Sequence, residues 1–251
     1  MPRVARKPSK TEIYHVMLRG NGQRQVFQDD EDNEHFLQML GICKVISGFE
    51  VYAYCLMGNH VHLLMRTGEK GEPLEQIFRR FGAQYVYWYN RKYERIGHLF
   101  QDRFRSEPVE DDPYFLCVLR YIHQNPVKAG LVEGMADYPY SSYRDYLEPK
   151  VGQLTDAVFI NGIMEREALI AFHEKTDDVK YMDVQPIRPK MSDIQVMKLI
   201  EKVAGCKTVE EFQNLNKTRR MDVLAELKEG NASYRQISRL TGESLGVIRR
   251  S

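Results

Sequence analysis

Two histidines separated by one residue, His60 and His62, are the side chains whose types and spacing most directly suggest chemistry. They lie in an apolar stretch, residues 51–65, that is rich in β-branched and aromatic residues and is interrupted by one Gly-Asn pair. This pattern predicts two strands joined by a tight turn. Side chains two apart on a strand project from the same face, so the two imidazoles are expected side by side. Two such imidazoles would supply half of a metal site.

A second candidate group lies about sixty residues further on. Asp112 as the N-cap and Pro113 as the first helical residue predict the start of a helix. Pro126 disfavours helical geometry at the residue before it, so the helix is predicted to end at Asn125. Tyr121 and Asn125 are four residues apart on the flank of the apolar stripe and are therefore expected to be neighbours.

Together these residues would place two imidazoles and an amide oxygen around a divalent cation, with a phenol nearby. A cation there would polarise a phosphate oxygen, and the phenolate could attack phosphorus. Hard cations usually prefer oxygen ligands, so Mg²⁺ on two imidazoles is unusual, and Mn²⁺ tolerates nitrogen better.

Each of these residues also has a purely structural explanation. Two histidines in this spacing alone are more often structural than catalytic. A tyrosine beside an apolar stripe usually packs with its hydroxyl at the surface. His15 and His123 could approach the site, and they are expected to have structural or substrate-orienting roles. Rival tyrosines by composition alone are Tyr14, Tyr52, Tyr54, Tyr85, Tyr87, Tyr89 and Tyr114.

The elements that would position these groups alternate between strands and helices. In chain order the predicted elements are a strand at 12–19, a helix at 29–48, strands at 51–57 and 60–65, a helix at 73–91, a strand at 98–105 and the helix that carries Tyr121. This order predicts an α+β fold, with a ferredoxin-like antiparallel sheet and helices on one face.

The chain divides into three predicted regions. Residues 1–150 form the domain with the candidate site, and residues 151–190 form a connector with one helix at 165–174. Residues 191–251 are all helical, and their last segment reads as a helix, a Thr-Gly turn and a second short helix with arginines at its end. That pattern predicts a helix-turn-helix-like DNA-binding region, and the alternative is a small helical bundle for protein contacts.

The charge pattern is more informative than the total. The net charge of the 251 residues is +1, whereas residues 79–105 hold seven basic and two acidic side chains, a local balance of +5. Such patches suit a polyanion, although any one of them could be an ordinary solvated face. The candidate DNA-binding arginines are Arg19, Arg79, Arg80, Arg103, Arg105, Arg235, Arg239, Arg249 and Arg250.

The location of the protein is also suggested by composition. The four cysteines show no paired spacing, which is typical of reduced, buried thiols. No signal peptide is recognised, and no apolar stretch reaches the ~20 residues that would span a bilayer. A cytoplasmic protein without membrane association is therefore expected.

Two separated motifs resemble one family. Residues 54–64, Tyr-Cys-Leu-Met-Gly-Asn-His-Val-His-Leu-Leu, and residues 120–130, Arg-Tyr-Ile-His-Gln-Asn-Pro-Val-Lys-Ala-Gly, resemble the single-tyrosine HUH transposases. The similarity is greatest to the REP-associated tyrosine transposase branch, which residues 98–104 also fit, and it covers roughly residues 8–147. Members of the family often have proline where this chain has Gly58, a departure that falls in the turn.

The resemblance implies roles for individual residues. His60 and His62 would be metal ligands, and Tyr121 would attack a single-stranded DNA phosphate, leaving a 5′-phosphotyrosine intermediate and a free 3′-OH that can later rejoin strands. Asn125 stands where related insertion-sequence enzymes carry glutamine near the metal, with the same amide oxygen on a shorter side chain. The implied cofactor is Mg²⁺ or Mn²⁺, and the implied partner is hairpin-bearing or palindromic single-stranded DNA.

Three functions from different classes remain open on the sequence alone. The first is the strand-transferring nuclease, as a monomer or a homodimer. The second is a non-catalytic DNA-binding regulator derived from a transposase. The third is a metal hydrolase acting on a small phosphoester, which is disfavoured because no cluster of carboxylates accompanies the histidines.

Overall fold

The computed structural model describes residues 6–68, 72–101, 103–175, 193–229 and 232–250. The chain forms two compact units, Met1–Asp183 and Val184–Ser251. None of the helices in these ranges is long and apolar enough to cross a membrane.

A four-stranded antiparallel sheet is the centre of the first unit. Its elements in chain order are β1 (Ile13–Arg19), α1 (Asp30–Ser47), β2 (Glu50–Met57), β3 (His60–Arg66), α2 (Leu74–Lys92) and β4 (Arg105–Pro108). The strand order is β2-β3-β1-β4, and every pairing is antiparallel. This is the ferredoxin-like βαββαβ arrangement, so the predicted α+β fold is confirmed.

Helices cover both faces of this sheet, whereas the sequence interpretation placed them on one. α1 and α2 pack with Val61, Leu63 and Met65 of β3 on one face. A further helix, α3 (Asp112–Lys128), packs on the other face beside Leu64. The reason is visible in β2, where all residues from Val51 to Met57 are buried, because a strand covered on both faces is apolar on both.

The fourth strand lies further along the chain than the sequence pattern suggests. A strand was predicted at 98–105, but the ladder with β1 spans only Arg105–Pro108. Before it, Phe100 forms a single bridge with Gly20. Leu99, Phe100 and Phe104 are buried in the core. Apolar residues interspersed with polar ones therefore imitated a strand in a segment whose described part contributes Leu99, Phe100 and Phe104 to the core.

Both predicted ends of α3 were wrong. The N-cap is Asp111, whose carboxylate accepts a hydrogen bond from the backbone N–H of Tyr114, and the helix begins at Asp112, one residue earlier than the predicted Asp112 cap would give. The helix also continues past Pro126 to Lys128. Proline removes one backbone donor, but Ala129 N–H still reaches the carbonyl of Asn125 at 2.9 Å, so the last turn persists. By contrast, α1 (Asp30–Ser47), which Asp29 caps, agrees with the helix predicted at 29–48.

Residues 143–173 belong to the first unit. The helices α4 (Tyr143–Leu147), α5 (Val158–Asn161) and α6 (Arg166–His173) contribute Tyr146, Ala157, Ile160 and Leu169 to the core beneath α3. The described part of the predicted connector therefore packs against the sheet. The predicted linker around residues 186–189 lies outside the described residues.

The second unit is helical in its described part. Its helices are α7 (Asp193–Ala204), α8 (Val209–Gln213), α9 (Lys217–Glu229), α10 (Tyr234–Thr241) and α11 (Leu245–Arg250), around a core that includes Phe212, Leu224, Ile237 and Ile248. Ser233 caps α10, and Gly242 ends it in a left-handed conformation with φ +73°. The predicted helix, glycine turn and second short helix are thus present as α10 and α11.

Candidate functional site

The two histidines of β3 face α3. In the register between β1 and β3, His62 lies opposite Met17, and His60 lies opposite Arg19 at the end of both strands. Directly opposed residues share a face of the sheet, so Arg19 lies on the same face as both imidazoles. The ring centroids of His60 and His62 are 5.0 Å apart, and the rings are nearly perpendicular. The prediction that the two side chains lie side by side is confirmed.

His62 is fully buried and contacts a third histidine, His15 of β1. His62 Nδ1 and His15 Nε2 are 2.9 Å apart, so one nitrogen donates and the other accepts. Burial lowers the pKa of His15 to about 3 and lowers the pKa of His62 well below its ordinary value, and the neighbouring histidines push the pKa of His62 further down. Both rings are therefore neutral at physiological pH, which is the form of imidazole that binds metals.

His60 is held by the residue before it in the chain. Its Nδ1 lies 2.7 Å from Oδ1 of Asn59, an oxygen that only accepts, so the proton resides on Nδ1 and the lone pair on Nε2. An imidazole whose one nitrogen donates to a carbonyl oxygen presents its other nitrogen with a fixed orientation.

Tyr121 of α3 lies over this histidine cluster. Its ring centroid is 5.5 Å from that of His62 and 5.9 Å from that of His15, in edge-to-face geometry. The Nζ atom of Lys128 lies 5.4 Å from the centre of the same tyrosine ring. The helix therefore brings a phenol and a cation to the imidazoles. Lys128 was missed in the sequence, although its spacing of seven residues from Tyr121 places the two on one helix face.

Asn125 is buried one turn after Tyr121, and its amide is engaged locally. Its Nδ2 donates to the backbone carbonyl of Tyr121 at 3.0 Å. This bond leaves the amide oxygen as the atom that a cation could use. The contact with Tyr121 that the four-residue spacing predicts is present. The role of Asn125 as a metal ligand stays a prediction.

The donor set can be compared with what a divalent cation needs. Among the described residues, no group of three or more His, Cys, Asp and Glu side chains has the arrangement of a metal site. However, His62 Nε2 is buried without a hydrogen-bond partner. If His62 donates through Nδ1 to His15, this Nε2 carries a lone pair, and a cation would satisfy it. The residues therefore fit a site with two imidazole ligands that DNA or water oxygens would complete.

The predicted arginines separate into different environments. Arg19 and Arg105 are on β1 and β4, and Arg105 is exposed opposite Met17, on the face of the histidines. Arg80 is bound internally, with its guanidinium 2.6 Å from Glu72 and 2.6 Å from Ser47, so the structure gives it a packing role. Arg79, on α2, and Arg103 lie away from the histidines and line a groove beside α2. The other four, Arg235, Arg239, Arg249 and Arg250, are exposed in the second unit.

A buried hydrogen-bond chain fixes the position of α3. His123 Nδ1 is 2.9 Å from His173 Nε2, and His123 Nε2 is 2.8 Å from Ser142 Oγ. The Nδ1 of His173 lies 2.8 Å from the carbonyl of Leu169, which only accepts. His173 then donates to Leu169 and His123 donates to His173, which leaves His123 Nε2 to accept from Ser142. The carbonyl of Tyr54, at 3.3 Å, is a second acceptor for the Ser142 hydroxyl. Burial lowers the pKa of His173 to about 4, so this neutral chain persists at physiological pH.

The same chain of hydrogen bonds also reaches β2. The Oγ of Ser142 accepts from the backbone N–H of Tyr54 at 2.9 Å. The chain thus links α6, α3 and the strand beside β3. The expected structural role of His123 agrees with these contacts. His173 was missed in the sequence, because its partner lies fifty residues away and no spacing rule connects them.

A ferredoxin-like sheet that presents two neighbouring histidines to a helical tyrosine agrees with the resemblance to single-tyrosine transposases that the sequence motifs suggested. Residues 9–125 match the family described as "Transposase IS200 like". This matched segment is 117 of the 251 residues, so the similarity to the IS200-like transposases extends over a little less than half of the chain.

Two curated proteins are also similar to this chain. A Haemophilus influenzae protein whose name provisionally makes it a REP-associated tyrosine transposase is 35% identical over 105 residues, which cover 38% of this chain and 59% of the relative. The REP-associated tyrosine transposase of Escherichia coli K12 is 24% identical over 95 residues, covering 38% of this chain and 54% of the relative. The chain therefore spans little more than half the length of these curated relatives.

A solved structure shares the fold. It is described as a REP-associated tyrosine transposase bound to a REP hairpin, and it superposes with a TM-score of 0.52 at 20% identity, covering 62% of this chain and 94% of that one. At this identity the similarity supports the fold.

Proposed function

We propose that this protein is a DNA transposase that cleaves and rejoins a single DNA strand through Tyr121. The observation that carries the proposal is the packing of the Tyr121 ring against His62 and His15, with Lys128 beside it. A nucleophile next to groups that stabilise charge on the attacked phosphate is the arrangement that covalent phosphoryl transfer requires.

The bond changes balance within one exchange. The phenolic oxygen of Tyr121 bonds to phosphorus, and the bond from phosphorus to the 3′ oxygen breaks. The phenol loses one proton and the departing 3′ oxygen takes one up, leaving a 5′-phosphotyrosine and a free 3′-OH. Reversal with a different 3′-OH rejoins strands, so no outside energy source is needed.

The residues around the site have separable roles in this reaction. His60 and His62 would hold Mg²⁺ or Mn²⁺ through their Nε2 atoms, and Asn125 could add an amide oxygen. When bound, the cation would supply Lewis-acid polarisation of a phosphate oxygen. Arg19, opposite His60, would pair with a phosphate of the strand, and Lys128 would favour the phenolate form of Tyr121 electrostatically.

Hairpin-bearing single-stranded DNA is the proposed substrate. The support is the similarity of residues 9–125 to the IS200-like transposases, together with the structural neighbour that is described with a REP hairpin. Either a monomer or a homodimer would be compatible with the cluster, because His62 and Tyr121 of one chain are already in contact.

The second unit is proposed to add duplex DNA binding. In α10 and α11 the turn contains a left-handed glycine, and α11 presents Arg249 and Arg250 to solvent. In helix-turn-helix proteins the second helix enters the major groove, so these two arginines are placed for phosphate or base contacts. Arg239 is engaged by Asp193 in an ion pair, and its contribution would be smaller.

The proposed cleavage is tested by covalent trapping. The full chain is incubated with labelled hairpin-bearing strands and Mg²⁺ or Mn²⁺, then denatured and resolved by gel electrophoresis. We expect a protein–DNA adduct that is lost with EDTA and with Tyr121→Phe. Tyr114→Phe, on the same helix, is the control and should keep the adduct. An adduct that forms equally well with Tyr121→Phe would refute the assignment.

The non-catalytic regulator is the alternative, and the second unit is the feature that favours it. It predicts salt-sensitive DNA binding without any adduct, and this binding would be unaffected by His60→Ala. The same gel, combined with a binding titration on His60→Ala, separates the two functions.

A further inference from the structure

A groove runs between α2 and residues 98–100 and 103–104, on the sheet face opposite Tyr121. Its volume is about 520 Å³, which is within the range of small-ligand sites, ~300–1,000 Å³. Leu18 at its base points away from Met17 and His62, since it follows Met17 on β1. The residues that line the groove include Phe78, Arg79, Gly82, Tyr87, Arg103 and Phe104.

The floor of the groove is apolar and aromatic. Phe78, Phe100 and Phe104 are each less than a tenth exposed and form its base. On the α2 side the wall is open at Gly82, where an added Cβ would meet no atom within 4 Å. Glycine inside a helix costs about 0.5–1 kcal/mol of stability relative to alanine. At position 82 this lower helix stability accompanies a wall without a side chain. A flat ring fits such a slot.

The rim of the groove carries two arginines and one carboxylate, that of Glu75, which is neutralised by Arg6. Arg79 and Arg103 are exposed, and neither forms an ion pair with a carboxylate among the residues described by the structure. Neighbouring cations differ in this respect, because Arg80 is paired with Glu72 and Arg6 with Glu75. Two arginines at the rim of an aromatic slot therefore retain charge for a ligand.

Tyr87 adds an exposed aromatic side chain to the same rim. It is 69% exposed, whereas Tyr85 and Tyr89 on the same helix are fully buried in the core. The aromatic and basic pattern of α2 thus divides into core residues and one exposed ring. An aromatic face beside arginines is the combination with which proteins bind unpaired bases and their phosphates.

The groove also lies near the end of the sheet that carries the site. The backbone of Gln101, within the groove-lining segment, donates to the carbonyl of Arg19 at 2.7 Å, and Arg19 is opposite His60. A DNA strand that leaves the histidines along Arg19 would cross this end of the sheet to reach the groove. Because the groove and the histidine site are connected through Arg19, one ligand could contact both.

We propose that this groove binds one unpaired base of the DNA strand, with the adjoining phosphates at Arg79 and Arg103. The proposal rests on the proposed function, because it assigns a second subsite to the same substrate. The base would stack against the aromatic floor and Tyr87, and the two arginines would neutralise the backbone on either side.

The test is an abasic scan with the full chain. Each nucleotide of the single-stranded flanks of a hairpin is replaced in turn by an abasic residue, and binding is followed by fluorescence anisotropy. Stacking of one base corresponds to roughly a 5- to 150-fold effect on affinity. We expect one flank position at which the abasic change weakens binding of the wild-type chain by that factor.

Variants of the groove link this position to the structure. Gly82→Leu fills the slot while improving helix propensity, so it should fold, which its thermal melting verifies. It should weaken binding of intact DNA and abolish the position dependence of the scan. Arg79→Gln with Arg103→Gln should reduce affinity and its salt dependence. Arg91→Gln, at an exposed position of α2 outside the groove, is the matched control and should change neither the affinity nor its salt dependence.

Two results would overturn the proposal. One is a wild-type scan in which no position stands out, and the other is an unchanged positional profile in Gly82→Leu. If Gly82→Leu alters self-association in sedimentation and leaves the scan intact, the groove binds a second copy of the chain and the proposal is wrong. Absence of a covalent adduct with an intact positional profile would instead refute the cleavage function and leave the groove proposal standing.

Discussion

Replacing His15 tests whether the buried histidine pair prepares His62 to hold a cation. In His15→Leu the acceptor 2.9 Å from His62 Nδ1 disappears, so the Nδ1–H tautomer that a cation on Nε2 requires would leave a buried donor unpaired. Such a group costs about 1–3 kcal/mol. This corresponds to roughly a 5- to 150-fold loss of metal affinity, similar to the ~10–100-fold typical of residues that orient a metal ligand.

The assay is the concentration of Mn²⁺ that gives half-maximal adduct formation, with direct Mn²⁺ binding measured alongside. His15→Leu should shift both to higher Mn²⁺, and His15→Gln, which keeps a hydrogen-bonding amide, should recover part of the loss. His35→Gln is the control, because His35 stacks on Trp88 away from the site. Unchanged Mn²⁺ dependence in folded His15→Leu would refute the reasoning.

Three further predictions follow from the contacts of the first unit. The pKa of His173 is lowered from 6.5 to about 4, so between these pH values the unfolded state binds a proton that the folded state does not. The free energy of unfolding should therefore be fully present above pH 6.5 and fall by about 3 kcal/mol towards pH 4. Urea melts of His173→Gln should show a smaller change of this free energy with pH. His173→Leu should slow adduct formation more than it weakens DNA binding, since it removes the acceptor of His123 Nδ1 and displaces α3, with His173→Gln restoring part of the rate. Asp111→Ala should lower the free energy of unfolding by about 1 kcal/mol through loss of the cap on α3, as measured by chemical denaturation.

The sequence was sufficient where a short-range periodicity decided the structure. The two-residue period of β3 placed His60 beside His62, and the four-residue spacing on α3 placed Asn125 next to Tyr121. The order of strands and helices predicted the ferredoxin-like sheet. In the first two cases the deciding periodicity lies within one element, and in the third it is the alternation of strands and helices along the chain.

The sequence was insufficient where distant elements meet. The pair formed by His15 and His62 depends on the register between β1 and β3, which no local pattern specifies. Pro126 was taken as a helix end, but packing of α3 on the sheet stabilises one further turn. The cover on the second face of the sheet could have been inferred from β2, whose residues are apolar at nearly every position.

The claim at the centre of this account is that Tyr121 bonds to a DNA phosphate at the histidine site. Mass spectrometry of the trapped adduct after proteolysis and nuclease digestion tests it most directly. The account predicts a peptide containing Tyr121 that carries a 5′-linked nucleotide, formed by wild type and absent from His60→Ala with His62→Ala. A nucleotide on another residue, or on Tyr121 with unchanged yield in the histidine variant, would contradict it.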